Sequence, residues 1–457
     1  MKLKQEDADR TAKNPNYYLS CFQSVFYELK HRYLDCVEDF CVEDLDFTKE
    51  PWHSMTGNEV FETMTQKLGE TLHLLDFLDI NKKGNLFVFH YNENAVFDAD
   101  TLSWLYLNEA RGLVLDMDKE QPVIVPFKKF RNLNETEEYH LHNIEEMAYN
   151  TYDFEISEKL DGSMISVAMY EGKLVVATGH HLDPKISMQI GLAEKYITQG
   201  ITDMITSNPD KTFIFELLDR HDPHIVSYKG KDFGLHLIGI RDNKTGHENS
   251  YLSVQDIANK YKVKTTGIIY GKYGHYPKEN LKNLWAVLEK LSKPQKDLKE
   301  GYVVKMDNFR FKIKYDDYIK VFKTLPGNSV CPRYVLQSIA DNTIDDFYSH
   351  IPINRQGDVK EIIDNVRQYR SLKDEETTEY YLDAISHSTD RKSFMLYSES
   401  FPDDIKANVR NRYNKTEPEL SRRYIISKAG KVKNYREIED FLEQAIKTRE
   451  DVHEIER

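Results

Sequence analysis

Between Asn85 and Lys314 the apolar residues come in short runs broken by turn residues, and that texture commits most of the stretch to β-sheet. The runs include LFVFHY at 86–91, LVLDM at 113–117, VIVPF at 123–127, TFIFELL at 212–218, FGLHLIGI at 233–240, EGYVVKM at 300–306 and FRFKIKY at 309–315. They are rich in β-branched and aromatic residues and shorter than the ~10–12 residues of a typical helix. Two more, SVAMY at 166–170 and LVVAT at 174–178, flank EGK and predict a β-hairpin.

On either side the period changes. From Met1 to about Asn81 the reading is helical, with Val60, Phe61, Met64, Leu68, Leu72 and Leu75 recurring at three- and four-residue steps on one apolar face. Residues 253–298 also read as helix. Beyond about Leu325, Asp358 is placed to cap a helix whose Val359, Ile362, Ile363, Val366 and Tyr369 share a face. Asn434 with Glu437 forms a capping-box pattern ahead of Ile438, Phe441, Leu442 and Ala445. The chain is therefore α+β, in three parts: a helical N-terminal extension over 1–84, a sheet-rich domain over 85–324 and an all-α domain over 325–457.

Composition narrows the class of function. Lys+Arg total 62 against Asp+Glu 76, a net charge of −14 over 457 residues, so any phosphate binding must be local. No apolar run approaches the ~20 residues of a membrane span, and the opening MKLKQEDADR lacks the apolar core of a signal peptide, so a cytoplasmic protein is expected. Four cysteines are too few for a disulfide framework, and Cys36 and Cys41 have no zinc-ligand spacing, which predicts buried, inert thiols.

Four segments hold residues suited to phosphate chemistry. In EKLDGSM, 158–164, Lys159 lies in a short polar turn, and the small pair Gly162 and Ser163 leaves room for a phosphate beside the amine. An ordinary surface turn has the same composition. In FRFKIKY, Lys312 and Lys314 point to one side of a strand, an arrangement that either a solvated face or a bound triphosphate tolerates. Glu216 interrupts the apolar run TFIFELLD and needs an Arg, a Lys, a metal or a ribose hydroxyl as partner. NEARGLVLD, 108–116, precedes PFKKFRNLNE, 126–135, where Lys128, Lys129 and Arg131 surround Phe130, a mixture that suits phosphate and base contact.

Taken in order, these segments resemble the covalent nucleotidyltransferase superfamily of ATP-dependent ligases and capping enzymes, and more narrowly the first RNA ligase family of T-even bacteriophages. In that resemblance EKLDGS is the nucleophile motif, IFELL the third motif, EGYVVK the fourth and FKIK the fifth, while EARGLVLD and KKFRNLNE are the most family-specific parts. The likeness spans roughly Asn85 to Phe322. It departs at Met164, where DNA ligases usually carry a basic residue, and at the TGHH of 178–181, where a lysine-bearing turn is expected. His180 and His181 there read as surface histidines on a strand end. His224 in HDPHIVSY also stands where a basic residue is expected.

The resemblance implies a ligase-type nucleotidyltransferase domain of antiparallel sheets with flanking helices. It implies an ATP-dependent RNA ligase that joins 5′-phosphate and 3′-hydroxyl ends through a lysyl-AMP intermediate and an adenylylated RNA end, in repair of tRNA-like RNA. ATP and Mg2+ or Mn2+ are the implied cofactors, RNA the partner, and the protein is expected to be a monomer away from membranes. The catalytic residues would be Lys159, Glu300, Lys312 and Lys314. Nucleotide binding would fall to Glu158, Arg111, Lys129, Glu216 and an aromatic, Phe233 or a neighbour, with Glu216 and Glu300 as metal ligands. Asp161 would shape the turn. Lysine has a reference pKa of ~10.4, so the site must lower that of Lys159, a task given to Lys312, Lys314 and the metal. The alternatives are a DNA ligase, a capping-type nucleotidyltransferase or a non-catalytic nucleic-acid binding module, the last disfavoured by the intact Lys159, Glu300, Lys312 and Lys314. Arg422, Arg423, Lys428, Lys431 and Lys433 form a basic cluster in an acidic chain, suited to RNA phosphates.

Overall fold

The computed structural model describes residues 17–36, 45–98, 106–222, 224, 226, 228–293, 297–316, 318–319, 335–336, 338–339, 344, 348 and 356–414. The chain divides into two compact units, Met1–Phe322 and Lys323–Arg457.

In the first unit, α1 (Tyr17–Cys36) and α2 (Gly57–Leu68) precede β1 (Leu78–Lys83) and β2 (Leu86–Tyr91). Thr56 and Glu59 close a capping box at the start of α2, and Gly69 ends the helix in the left-handed region. Val60, Phe61 and Met64 of the predicted stripe are buried with Phe22 and Phe26 of α1 and Phe87 and Phe89 of β2. One core thus crosses residue 84. The helical reading also runs too far, because Leu78–Lys83 pairs antiparallel with Leu86–Tyr91. There Leu78 and Ile80 are buried and Asp79 is exposed, a period of two that begins where the helical stripe ends.

After α3 (Glu93–Asp98), β3 (Arg111–Asp116) and β4 (Gln121–Ile124) complete a sheet of order β1-β2-β3-β4. The chain continues through β5 (Arg131–Asn132), α4 (Leu141–Asn150), β6 (Asp153–Lys159), β7 (Ser163–Tyr170) and β8 (Lys173–Ala177). Next come α5 (Met188–Tyr196), α6 (Gln199–Thr206), β9 (Lys211–Leu218) and β10 (Gly234–Asp242), followed by α7 (Tyr251–Tyr261), β11 (Ile268–Tyr273), α8 (Pro277–Leu291), β12 (Gly301–Met306) and β13 (Phe309–Lys314). β10-β9-β7-β8 form a second antiparallel sheet, and β11-β6-β12-β13-β5 a third, in which only the short β5 runs parallel to its neighbour. The predicted hairpin is β7–β8, with Glu171 and Gly172 both at positive φ as a two-residue turn requires. β11 corrects the helical reading of 253–298. Its residues are mostly half-exposed, so no clean alternation marks it, and pairing with β6 holds it.

The connection that matters most is a short one between two sheets. β6 belongs to the third sheet and β7 to the second, so the chain changes sheets within Leu160–Gly162, directly after Lys159. Separate cores anchor the two sides. Ile165, Phe213 and Leu237 pack with helices α5–α7, and Phe154, Val304 and Phe311 pack with α4 and α8.

The second unit contains α9 (Gln356–Ser386), α10 (Arg391–Tyr397) and α11 (Asp403–Asn414), packed through Ala384, Phe394, Ile405 and Val409. Val359, Ile362, Ile363 and Val366 are buried as the pattern predicts, although the helix begins ahead of Asp358. The side chain of Tyr369, the Asn434–Ala445 pattern and the basic cluster of Arg422, Arg423, Lys428, Lys431 and Lys433 lie outside the described residues. Cys21 is half-buried; Cys36 is exposed, against expectation, while Cys41 and Cys331 lie outside the described residues. Among the described residues no helix is long and apolar enough to cross a membrane.

Candidate active site

Register brings three of the predicted residues together. Gly301 lies opposite both Lys159 on β6 and Lys314 on β13, which puts the two lysines in one cross-strand row. Glu300, just ahead of β12, bridges them: its Oε2 is 2.7 Å from Lys159 Nζ and its Oε1 is 3.1 Å from Lys314 Nζ. Only glycine fits at 301, since a Cβ there would sit 1.9 Å from the Ile313 carbonyl oxygen. Lys312 lies two rows along, opposite Val303. Glu300, Lys312 and Lys314 are all buried, at 3%, 4% and 9% exposure, so the solvated-face reading of the lysine pair is wrong.

The turn after Lys159 delivers a second carboxylate. The Gly162 amide donates to Glu216 Oε1 at 2.9 Å, and a Cβ on Gly162 would lie 2.3 Å from the Leu217 carbonyl oxygen. Gly162 is therefore needed for close packing against β9, in addition to any room it leaves for phosphate. Burial raises the Glu216 pKa to about 7, with the Glu300 charge adding to the rise and Lys159 opposing it.

Electrostatics at Lys159 run against the sequence expectation. Burial pulls its pKa down, but Glu300, Glu216 and Asp161 outweigh burial and hold the ammonium well above the ordinary lysine value. Burial likewise pushes Glu300 up, and Lys159 and Lys314 more than reverse it, leaving the carboxylate depressed. The three groups form a stabilised ion triad in which Lys159 is a protonated, unreactive amine.

Asp161 shapes the turn, as expected. Its Oδ2 accepts from the Val226 amide at 2.8 Å, its Oδ1 accepts from the Tyr318 hydroxyl at 3.0 Å, and its own amide donates to the Tyr228 hydroxyl at 2.9 Å. Lys314 Nζ lies 5.3 Å from the centre of the Tyr318 ring. Beside the turn, the Ser163 hydroxyl donates to Asp222 Oδ2 at 2.6 Å, and His224 Nε2 lies 3.5 Å from the same oxygen. Burial depresses the His224 pKa, but Asp222 and Asp161 outweigh it and the net shift is upward. Tyr228, Tyr318 and Asp222 carried no sequence signal as site residues, because each acts through a contact distant in the chain, and Ser163 was legible only as a small residue, not as the partner of Asp222.

The remaining predicted residues are less concentrated. Glu158, on the opposite strand face from Lys159, has Oε1 2.5 Å from Lys299 Nζ. Arg111 lies over the Phe130 ring at 5.2 Å, and Lys129 Nζ donates to the Tyr91 hydroxyl at 2.8 Å. Glu109 ties their two segments together, 3.0 Å from Lys128 Nζ and 3.0 Å from the fully buried Arg241. β5 carries this segment alongside β13, where the Leu133 amide donates to the Lys312 carbonyl at 3.0 Å. His180 is no surface histidine: β8 ends at Ala177, and the His180 ring lies 3.8 Å from that of His90. Burial, with His180, Arg111 and Lys129 adding, holds His90 far below the usual histidine range. Phe233 precedes β10 and stands outside the row of Glu216, whose cross-strand neighbours are Met164 and His236.

Among the described residues, no group of three or more His, Cys, Asp or Glu could hold a metal by itself. Glu216 and Glu300 nevertheless suit a cation that takes one or two carboxylates and completes its shell with phosphate and water, as Mg2+ does.

Comparison with known proteins matches residues 109–318 to the family model described as RNA ligase, a span that holds every residue of the cluster. A curated protein of Thermovibrio ammonificans named "Putative RNA ligase" is 23% identical over 360 residues, covering 75% of this chain and 83% of that protein. Among solved structures, an archaeal ATP-dependent RNA ligase is similar at 12% identity and a TM-score of 0.42, covering 76% of this chain and 73% of that one. Naegleria gruberi RNA ligase with PPi is similar at 17% identity and a TM-score of 0.34, covering 44% and 60%.

Proposed function

We propose, from the RNA ligase family to which residues 109–318 belong, that this protein uses ATP to join an RNA 5′-phosphate to a 3′-hydroxyl through a lysyl-AMP enzyme and an adenylylated RNA end. The observation that carries the reading is the buried bridge in which Glu300 holds Lys159 at the crossing between sheets and Lys314 beside it.

In the first step Lys159 Nζ bonds to the α-phosphorus of ATP, the bond from that phosphorus to the bridging oxygen breaks, and pyrophosphate leaves. Lys159 must first lose the proton that its ion pair with Glu300 Oε2, 2.7 Å away, holds in place. Lys312 and Lys314 receive the triphosphate, while Arg111 and Lys129 orient its outer phosphates for in-line departure. Glu216 holds the ribose hydroxyls or a water of the metal. Glu216 and Glu300 would hold Mg2+ or Mn2+, which would supply charge neutralisation and disfavour the neighbouring ammonium. An oxygen of the RNA 5′-phosphate then takes the adenylyl group, returning the amine of Lys159. The 3′-hydroxyl attacks the activated 5′-phosphorus, and AMP leaves. The finer reading has the protein acting as a cytoplasmic monomer on tRNA-like breaks, with residues 325–457 selecting the RNA.

The test is incubation with ATP labelled at the α-phosphate, followed by mapping of the labelled residue. An acid-labile, base-stable adduct on Lys159, absent from Lys159→Ala, is expected. A label on another residue refutes the assignment, and labelling by GTP instead moves the protein to the capping class. RNA sealed much faster than DNA of the same sequence supports the substrate, and equal rates count against it.

A further inference from the structure

At the far end of β6 from Lys159, the turn after β11 gathers aromatic rings that the reaction does not use. The His275 ring lies between two tyrosines, 5.5 Å from that of Tyr152 and 6.3 Å from that of Tyr149. Tyr273 and Tyr276 flank it. Tyr273 is 78% exposed, Tyr152 58% and Tyr149 50%, high values for large aromatic side chains. The turn is also fixed. The Gly274 amide donates to the Tyr152 carbonyl at 2.7 Å, and Gly274 has φ of +127°, with the Tyr276 ring 2.8 Å from where a Cβ would stand.

Charge accompanies the rings. On the β11 side, Tyr270–Lys282 holds Lys272, Lys278 and Lys282 against Glu279 alone, whereas Glu145, Glu146 and Asp153 accompany Tyr149 and Tyr152 in sequence. Lys272 Nζ lies 4.5 Å from the centre of the Tyr276 ring and 2.5 Å from Glu279, while Lys278 and Lys282 are exposed four residues apart on α8. Exposed rings interleaved with lysines match what an unpaired polynucleotide offers, which is a flat face on each base and a phosphate between bases. Protein-docking surfaces are also rich in tyrosine but are depleted of lysine, whereas this one carries Lys272, Lys278 and Lys282 beside its rings.

We propose that Tyr149, Tyr152, Tyr273, His275 and Tyr276 form a stacking platform for single-stranded RNA next to the break being sealed. The proposal rests on the RNA ligase reading of the Lys159 site. β6 fixes the separation: six residue steps at ~3.3 Å put the platform about 20 Å from the nucleophile. A strand a few nucleotides long spans that distance, so the platform holds RNA beyond the reacting end and fixes its approach.

The test measures affinity of the full chain for fluorescein-labelled single-stranded oligouridylate and oligoadenylate, with a blunt RNA duplex as comparator. Tyr152→Ala/Tyr273→Ala should bind both single strands about 5- to 150-fold more weakly for each base unstacked. Tyr152→Phe/Tyr273→Phe should bind as the parent does, and duplex binding should change little. Both variants should still form the lysyl adenylate at the parent rate, which shows an intact fold. Parent-like affinity in the alanine variant overturns the platform, as does an equal loss in the phenylalanine variant. Absence of any adenylate from the parent refutes the ligase reading separately and leaves the binding comparison interpretable.

Discussion

Replacing Glu300 with Gln tests the ion triad most directly, because the substitution keeps the side chain's shape and removes its charge. Glu300 is 3% exposed, and its two oxygens are engaged by Lys159 and Lys314. Removing one partner of a buried ion pair typically costs about 3–5 kcal/mol. A ceiling comes from Lys159 itself, which can shed its proton: from a reference pKa of ~10.4 this costs about 4.6 kcal/mol at pH 7, at 1.36 kcal/mol per unit. The expected loss at pH 7 is therefore about 3–4.6 kcal/mol, against a total stability of ~5–15 kcal/mol. The sign of the pH dependence follows from both shifts. The depressed Glu300 contributes stability that is present above the ordinary carboxylate pKa and lost as pH falls through its lowered value. The raised Lys159 contributes stability that is present below the ordinary lysine value and lost only as pH rises through its raised one. The gap between parent and Glu300→Gln should be level from about pH 5 to pH 10 and close in acid. Urea unfolding followed by tryptophan fluorescence reads it, because Trp52, Trp104 and Trp285 all belong to the unit Met1–Phe322. Equal stability of parent and variant at pH 7 would refute the triad.

Lys314→Ala should slow adenylylation by about 10²–10³-fold, measured as the single-turnover rate of label transfer from ATP, and a parent-like rate would remove Lys314 from the triphosphate site. Adding a chelator should abolish both adenylylation and sealing, with Mg2+ or Mn2+ restoring them. His224 has a raised pKa, so its contribution to stability is present below its ordinary value and lost as pH rises through the raised one. His224→Gln should therefore flatten the parent's stability profile across neutral pH, and identical profiles would show that Asp222 and Asp161 do not hold the imidazolium. A chain ending between Thr324 and Pro332 should still adenylylate Lys159 but seal a structured RNA poorly, and sealing of every substrate at the full-chain rate would assign the tail to stability or partner binding.

Legibility in the sequence followed locality. Lys312 and Lys314 could be placed on one strand face because alternation is local, and Gly162 could be singled out because it adjoins Lys159. What the pattern could not give was depth: Lys312 and Lys314 are buried, Lys314 beside Glu300 and the Tyr318 ring. Asp161 was readable as a turn residue, whereas its partners Tyr318 and Tyr228 stand 157 and 67 positions away and are joined to it only by the fold. β1 and β11 escaped for another reason. Each follows or interrupts a helical stretch and leaves much of its surface half-exposed, so neither shows the full period of a buried strand.

The largest departure concerns the charge of Lys159. Reasoning from Lys312 and Lys314 alone predicts a lowered pKa, since like charges oppose each other. Burial acts in the same direction, yet Glu300, Glu216 and Asp161 more than cancel it. The carboxylates arrive from three places: Glu300 from the start of β12, Glu216 from β9 and Asp161 from the sheet-crossing turn. No spacing rule in the sequence converges them on one amine. Their convergence gives the resting enzyme a protonated lysine, which is a poor nucleophile and a stable buried ion. Activation then requires that the carboxylates be engaged elsewhere, and the two partners of Glu300 indicate how. A triphosphate drawing Lys314 toward itself, together with a cation drawing Glu300 and Glu216, would withdraw the negative charge that holds the proton on Lys159. Nucleophile activation would then be conditional on the substrate that is to be attacked, and the amine would stay unreactive toward other electrophiles until ATP and metal are both in place.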